Sequence, residues 1–223
     1  LVVVCTPMGA YASVAKAIAP ALKDGAIVSD VDSVKSSAIK DLKPHLPRHV
    51  HLVAGHPIAG TEHSGPEAGY ADLFPGHWCI LTPEPETDPA AIDKVQALWQ
   101  ACGANVEVMT PDHHDHVLAI TSHLPHLIAY TIVDTAATLE DDTQKEVIKF
   151  SASGFRDFTR IAASDPVMWR DVFLTNKDAV LDILGRFSED LERMKQAIEN
   201  EDGDALQDTF TPTRALRRSI LDL

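Results

Sequence analysis

In the first 110 residues, apolar positions come in short runs, and turn-forming residues separate these runs from longer stretches with helical spacing. Residues 1–5 are a β-branched run closed by Thr6-Pro7-Met8-Gly9, and an Ala-rich helical pattern follows up to Leu22. The order repeats. Residues 26–31 read as strand, 33–42 as helix and 51–54 as strand; later strands fall at 79–81 and 106–109, with an amphipathic helix at 89–101 between them. Strands alternating with helices at this spacing predict a layered α/β sheet that is at least partly parallel. From Pro111 the strand patterns stop and helices take over, which divides the chain into residues 1–110 and an all-helical part, 111–223. Val180, Ile183, Leu184, Phe187, Leu191, Met194 and Ile198 share one face of a long helix and predict a core-facing stripe. A polar break at 200–204 precedes a last helix over 205–221.

Composition sharpens this picture in one respect. The 223 residues are 45% hydrophobic and 23% charged, as expected of a folded globular chain, but the formal net charge is −14. Such a field repels phosphate backbones and anionic lipid heads, so neither nucleic acid nor membrane is expected as a partner. No run of about 18 apolar residues predicts a spanning helix. An anionic substrate would need its own local donors. Cys5, Cys79 and Cys102 form no CxxC pair, which predicts free thiols in a reducing cytoplasm. The chain opens within a strand pattern, and a further segment is expected upstream of Leu1.

Five places could carry chemistry. His56 lies in Gly55-His56-Pro57-Ile58-Ala59-Gly60-Thr61-Glu62, just after a strand, on the edge where α/β sheets bind ligands. A neutral imidazole there could take a proton from a substrate hydroxyl; a loop histidine bonded to backbone is the plainer reading. Ser33, in Asp30-Val31-Asp32-Ser33-Val34-Lys35, leaves one strand and enters a helix, where it could cap the helix or face the crevice. Among Asp112-His113-His114-Asp115-His116, His113 and His116 share a helical face as two metal ligands would, but the spacing matches no H-E-x-x-H pattern and no metal is expected. Pro125, in Ser122-His123-Leu124-Pro125-His126, should kink its helix near Ser122 and turn Ser122 and His126 toward a cavity. Finally, Arg160 sits among aromatics in residues 154–162 as a buried or half-buried donor. Its guanidinium could grip a carboxylate through paired hydrogen bonds or form an internal ion pair with Asp157 or Asp165.

Taken in order, DVDSVK, GHPIAGTE, SHLPH and GFRDFTRIAASDPVMW resemble the prephenate and arogenate dehydrogenases of tyrosine biosynthesis. The resemblance covers essentially the whole chain. It implies part of a dinucleotide-binding, Rossmann-like sheet domain followed by a helical dimerisation domain, NAD or NADP as cofactor, and a homodimer. The implied reaction is oxidative decarboxylation of a cyclohexadienol to a phenol, driven by aromatisation. By the same resemblance, the position of His56 takes the ring hydroxyl proton and Ser33 helps orient that pair. Arg160 holds a substrate carboxylate, and Ser122, His126, Thr61 and Glu62 line the pocket or its gate. Thr6, Pro7 and Met8 remain from the cofactor loop, while Asp157 and Trp169 come from the neighbouring subunit.

One departure stands out. The family's G-x-G-x-x-G turn has no counterpart in residues 1–223, where no glycine stands in a G-x-G arrangement. It is expected either upstream of Leu1 or not at all, and a shortened product should bind NAD poorly. Two other readings are an inactive dimerising remnant of such an enzyme and a metal-dependent hydrolase. A relative of the β-hydroxyacid dehydrogenases, which use a lysine base, fits SHLPH and DFTRIA less well.

Overall fold

The computed structural model describes residues 1–60, 65–139, 146, 149–150 and 152–221. Its β-branched runs form β1 (Val2–Val4), β2 (Ile27–Asp30) and β3 (His51–Leu52), joined by helices α1 (Tyr11–Ile18) and α2 (Lys35–Leu42). These strands are ordered β1-β2-β3 and all run parallel, with Val2 opposite Val28 and Ile27 opposite His51. Tyr11, Ala15, Ala38 and Leu42 from the two helices close over Val4 and Val28. Each large apolar side chain buried in this way stabilises the fold by about 1.5–3 kcal/mol.

A second sheet has the order β4-β5-β6, with β4 (Gly55–Ile58), β5 (Trp78–Leu81) and β6 (Asn105–Val108). Helix α3 (Pro89–Ala101) links β5 to β6, which pair in parallel, whereas β4 and β5 are antiparallel. Val95 and Trp99 of α3 pack on Ile27, Val53, Cys79 and Leu81. Between β3 and β4 the chain changes partners: Val53 N–H donates to the Val28 carbonyl, and the Ala54 carbonyl accepts from Thr82 N–H. His56 follows this handover directly. Gly55 permits it, since a Cβ there would lie 3.2 Å from Leu81 Cδ2 and 3.3 Å from the Asp30 carbonyl oxygen.

From Pro111 the described chain is helical. Helix α4 (Pro111–Leu118) runs through a π-helical turn (Ala119–His123) into α5 (Leu124–Ala137). The cause is Pro125, which has no N–H for the Thr121 carbonyl and whose ring crowds it. The helix widens there, with Leu124 N–H bonding the Ala119 carbonyl. The sequence predicts a kink; the chain makes a π turn instead. By length and hydropathy Pro111–Ala137 is apolar enough to cross a membrane, contrary to the sequence reading, but here it carries buried His114, Asp115 and His123 and packs on α2. Then follow α6 (Ser153–Thr159), a 3₁₀ turn (Arg160–Ala163) and α7 (Pro166–Thr175).

Compact unit one comprises Leu1–Val180 and unit two Leu181–Leu223; the division falls inside α8 (Lys177–Glu199), past the 110/111 break in the sequence pattern. Unit two is the rest of α8 and α9 (Gly203–Leu221). The polar break between them turns at Glu201, whose φ is 54°, and Asp202 accepts from Ala205 N–H to start α9. The expected core-facing stripe is only partly covered: Leu191 is 57% and Ile198 65% exposed.

Candidate active site

Asp30, at the end of β2, organises the ground beneath His56. Its Oδ1 accepts from Gly55 N–H at 3.0 Å, while Oδ2 accepts from Asp32 N–H at 3.0 Å and Tyr11 O–H at 3.3 Å. Lys35 is wholly buried; its ammonium pairs with the same carboxylate and donates to the Gly55 carbonyl at 2.6 Å. A buried cation is tolerable only with such partners. It also places a fixed positive charge beside the imidazole of His56.

Helix α2 is not capped by Ser33. Its N-terminal donors are met from α4, where Asp115 Oδ1 accepts from Lys35 N–H at 2.8 Å and Oδ2 accepts from Ser36 N–H at 2.9 Å. Val34 occupies the cap position and has no side-chain oxygen to offer, which is why a distant carboxylate serves. Burial pushes the Asp115 carboxyl up, but hydrogen bonds from His114, Ser36 and Lys35 outweigh it and hold the carboxyl below its ordinary range.

His56 touches a residue that sequence reasoning passed over. Its Nδ1 lies 2.8 Å from Nε2 of His114, whose Nδ1 lies 2.8 Å from Asp115 Oδ1. A carboxylate can only accept, so His114 donates from Nδ1 and, when neutral, accepts at Nε2. His56 must then donate from Nδ1, which leaves its Nε2 with a lone pair. Burial, then His114 and Lys35, depress the His56 pKa well below 6.5, so this lone pair is present at neutral pH. His113 and His116, the pair weighed as metal ligands, are both exposed, and His116 Nδ1 bonds the Asp112 carbonyl. Among the described residues no group of three or more candidate ligands could hold a metal. His114 stands four residues before buried Leu118, an i,i+4 relation that marks it as the inward histidine.

A cavity of about 330 Å³ contains His56, Ser122, His126, Arg160 and Trp169 in its lining. His126 donates from Nδ1 to the Ser122 carbonyl at 2.8 Å, and its ring stacks on Trp169 with centroids 3.6 Å apart. Burial lowers the His126 pKa, and Arg160 lowers it further. Asn176 fixes the neighbouring His123 by donating to its Nδ1 at 3.0 Å, while burial depresses that ring to about 4. Arg160 is exposed, contrary to the expectation of a buried donor, because it lies on the solvent-facing 3₁₀ turn after α6. Asp165 instead caps α7 through Val167 N–H and Met168 N–H, both at 2.8 Å. Trp169, expected from the resemblance to serve a neighbouring subunit, lines the cavity of its own chain. Tyr130 O–H draws α5 and α7 together by donating to the Ser164 carbonyl at 2.7 Å. Asp157 is exposed on α6 and is not among the residues lining this cavity. Thr61 and Glu62 lie outside the described residues.

Thr6, Pro7, Met8 and Ser33 line a second cavity of about 610 Å³ that includes the loops leaving β1 and β2, with Met168 belonging to both cavities. Ser33 thus faces this second space and not the first. Asp32, Asp165 and Asp171 line it, and no lysine or arginine is among its described lining residues. Burial pushes the Asp32 carboxyl up to about 6, and its Oδ2 has no partner among the described residues. These carboxylates, Asp32 just past the end of β2 and Asp165 and Asp171 at the start of and within α7, suit the cationic ring of an oxidised nicotinamide and do not suit a diphosphate.

Comparison with known proteins decides the family. The model for the prephenate dehydrogenase nucleotide-binding domain matches residues 1–108, and that for the prephenate dehydrogenase dimerization domain matches residues 110–212. The chain belongs to the prephenate dehydrogenase family. It is 44% identical to cyclohexadienyl dehydrogenase of Zymomonas mobilis over 220 residues, which are 99% of this chain and 75% of that one. Prephenate dehydrogenase of Bacillus subtilis is 34% identical over 194 residues, 87% of this chain and 52% of its own length. The crystal structure of Aquifex aeolicus prephenate dehydrogenase in complex with hydroxyphenyl propionate and NAD+ superposes with a TM-score of 0.90 at 37% identity, covering 98% of this chain and 75% of that one. This family member is therefore an oxidoreductase with a nucleotide-binding part and a dimerisation part, and it spans between half and three-quarters of the length of these relatives.

Proposed function

We propose that this chain serves the oxidative decarboxylation of prephenate or arogenate, to 4-hydroxyphenylpyruvate or tyrosine, with hydride transfer to NAD or NADP. One observation carries the reading: His56 and Arg160, 104 positions apart in the sequence, line one cavity. The relatives support it, since the Aquifex enzyme was crystallised with NAD+ and a hydroxyphenyl acid. His56 accepts the ring hydroxyl proton at Nε2. Arg160, exposed on its turn, holds a substrate carboxylate. Ser122 and His126 line the wall that receives the side chain, with Thr61 and Glu62 proposed at the entrance. Thr6, Pro7, Met8 and Ser33 would hold the nicotinamide end of the cofactor, which when bound supplies the hydride acceptor. Loss of the hydroxyl proton favours release of the ring hydrogen as hydride; carbon dioxide then leaves, and the resulting phenol provides the driving force.

The proposed division is a dinucleotide-binding part over 1–110 and a substrate and dimerisation part over 111–223. Homodimer formation is supported by exposed Leu191, Ile198, Phe210, Leu216 and Ile220 in unit two. Asp157 is proposed to act across that dimer. The free thiols of Cys5, Cys79 and Cys102 support a cytoplasmic location. The test is turnover of prephenate and arogenate, each with NAD+ and NADP+, followed by the absorbance of reduced nicotinamide. Reduction with either substrate is the expected result, and none in all four combinations overturns the reading.

A further inference from the structure

Resting on His56 as the base, we propose that His114 is a positioning residue that takes over the proton His56 removes, with Asp115 holding His114 in the receiving tautomer. The bonds that carry this are the two 2.8 Å contacts, His56 Nδ1 to His114 Nε2 and His114 Nδ1 to Asp115 Oδ1. As the substrate O–H breaks, an N–H forms at His56 Nε2. The His56 Nδ1–H bond breaks and an N–H forms at His114 Nε2. No electron pair leaves this chain of bonds, His56 ends neutral, and His114 ends as the imidazolium.

Surrounding charge favours that end point. An imidazolium at His56 would face the buried ammonium of Lys35 and the ring of His123. On His114 the same charge is still within the field of Lys35 but sits directly on the Asp115 carboxylate and is favoured by Asp30 as well. His114 is wholly buried, so the proton is kept from solvent while hydride transfer proceeds. Asp115 is itself fixed by the N–H groups of Lys35 and Ser36, and the ring it orients therefore has no freedom to turn away.

Two measurements test this. In the chain labelled with ¹⁵N-imidazole histidine, acid titration should convert His114 to the doubly protonated ring while His56 stays neutral with its proton on Nε2. Charge accumulating on His56 first would overturn the proposal, whether or not the chain turns over substrate. Kinetically, His114→Gln keeps an acceptor for His56 Nδ1 but cannot take a proton. It should lower kcat about 10- to 100-fold, part of what general base catalysis supplies, with KM changed less than about threefold. In a His56→Asn background it should have no further effect. An unchanged kcat in the single variant, or an equal additional loss in the double variant, would reject the relay. Absence of turnover in the unaltered chain would count against the proposed reaction and leave the titration to decide the relay.

Discussion

A single imidazole or guanidinium can be judged by what it is free to do. His56 has its Nδ1 committed and its Nε2 open, so His56→Asn should bind substrate nearly as well while kcat falls by about 10²–10⁴, read from steady-state kinetics at saturating substrate. Arg160 acts on binding. Arg160→Ala should raise KM at least about 100-fold, corresponding to roughly 3 kcal/mol for a lost charge-assisted pair, with a smaller change in kcat. Both residues were legible in the sequence because glycine, proline and aromatic neighbours single them out, although His56 lies within β4 and not in a loop after a strand. His114 and Lys35 were not. Their meaning comes from contacts with residues 58 and 20 positions away, and the one local sign, the i,i+4 relation of His114 to Leu118, says that the ring is buried but not what it touches.

At the level of elements, alternation of strand and helix predicted the sheet, and the helical period predicted α3, α8 and α9. What the pattern could not carry was pairing direction. The antiparallel β4–β5 pair depends on the partner change at Val53 and Ala54, set by backbone hydrogen bonds and by the absence of a side chain at Gly55. Gly55→Ala should therefore lower stability by about 1–3 kcal/mol, because Leu81 and the Asp30 carbonyl must both give way. Urea unfolding would measure it, and an unchanged midpoint would show that β2 and β5 can separate without penalty. Ser33 illustrates the opposite error: local rules favour it as a cap, but the tertiary fold brings Asp115 to the same helix end.

Proton linkage belongs to the whole molecule. His56, His114, His123 and His126 all resist protonation in the fold, chiefly through burial, so below about pH 6.5 the unfolded chain binds more protons than the folded one. Stability should fall as pH drops from 6.5 toward about 4, where His123 titrates. Asp32 works the other way: its carboxyl rises from 3.8 to about 6, so the fold loses stability as pH climbs through that interval. Urea midpoints should be lower near pH 5 than near pH 7. Asp32→Asn should raise the midpoint near pH 7, by about 1–3 kcal/mol in stability, with a smaller gain in acid. An equal gain at both pH values would mean that charge burial is not the cause.

The π turn before Pro125 has an effect beyond its own five residues. It inserts one residue into an otherwise regular rod, and each residue of an α-helix turns the following face by about 100°. Removing that extra position would rotate everything downstream by roughly a quarter turn. His126 would leave its stack on Trp169 and Tyr130 its tether to Ser164 in the same motion. The azimuth of α5, and with it the shape of the chamber around the base, is thus fixed by a count of residues rather than by any single contact.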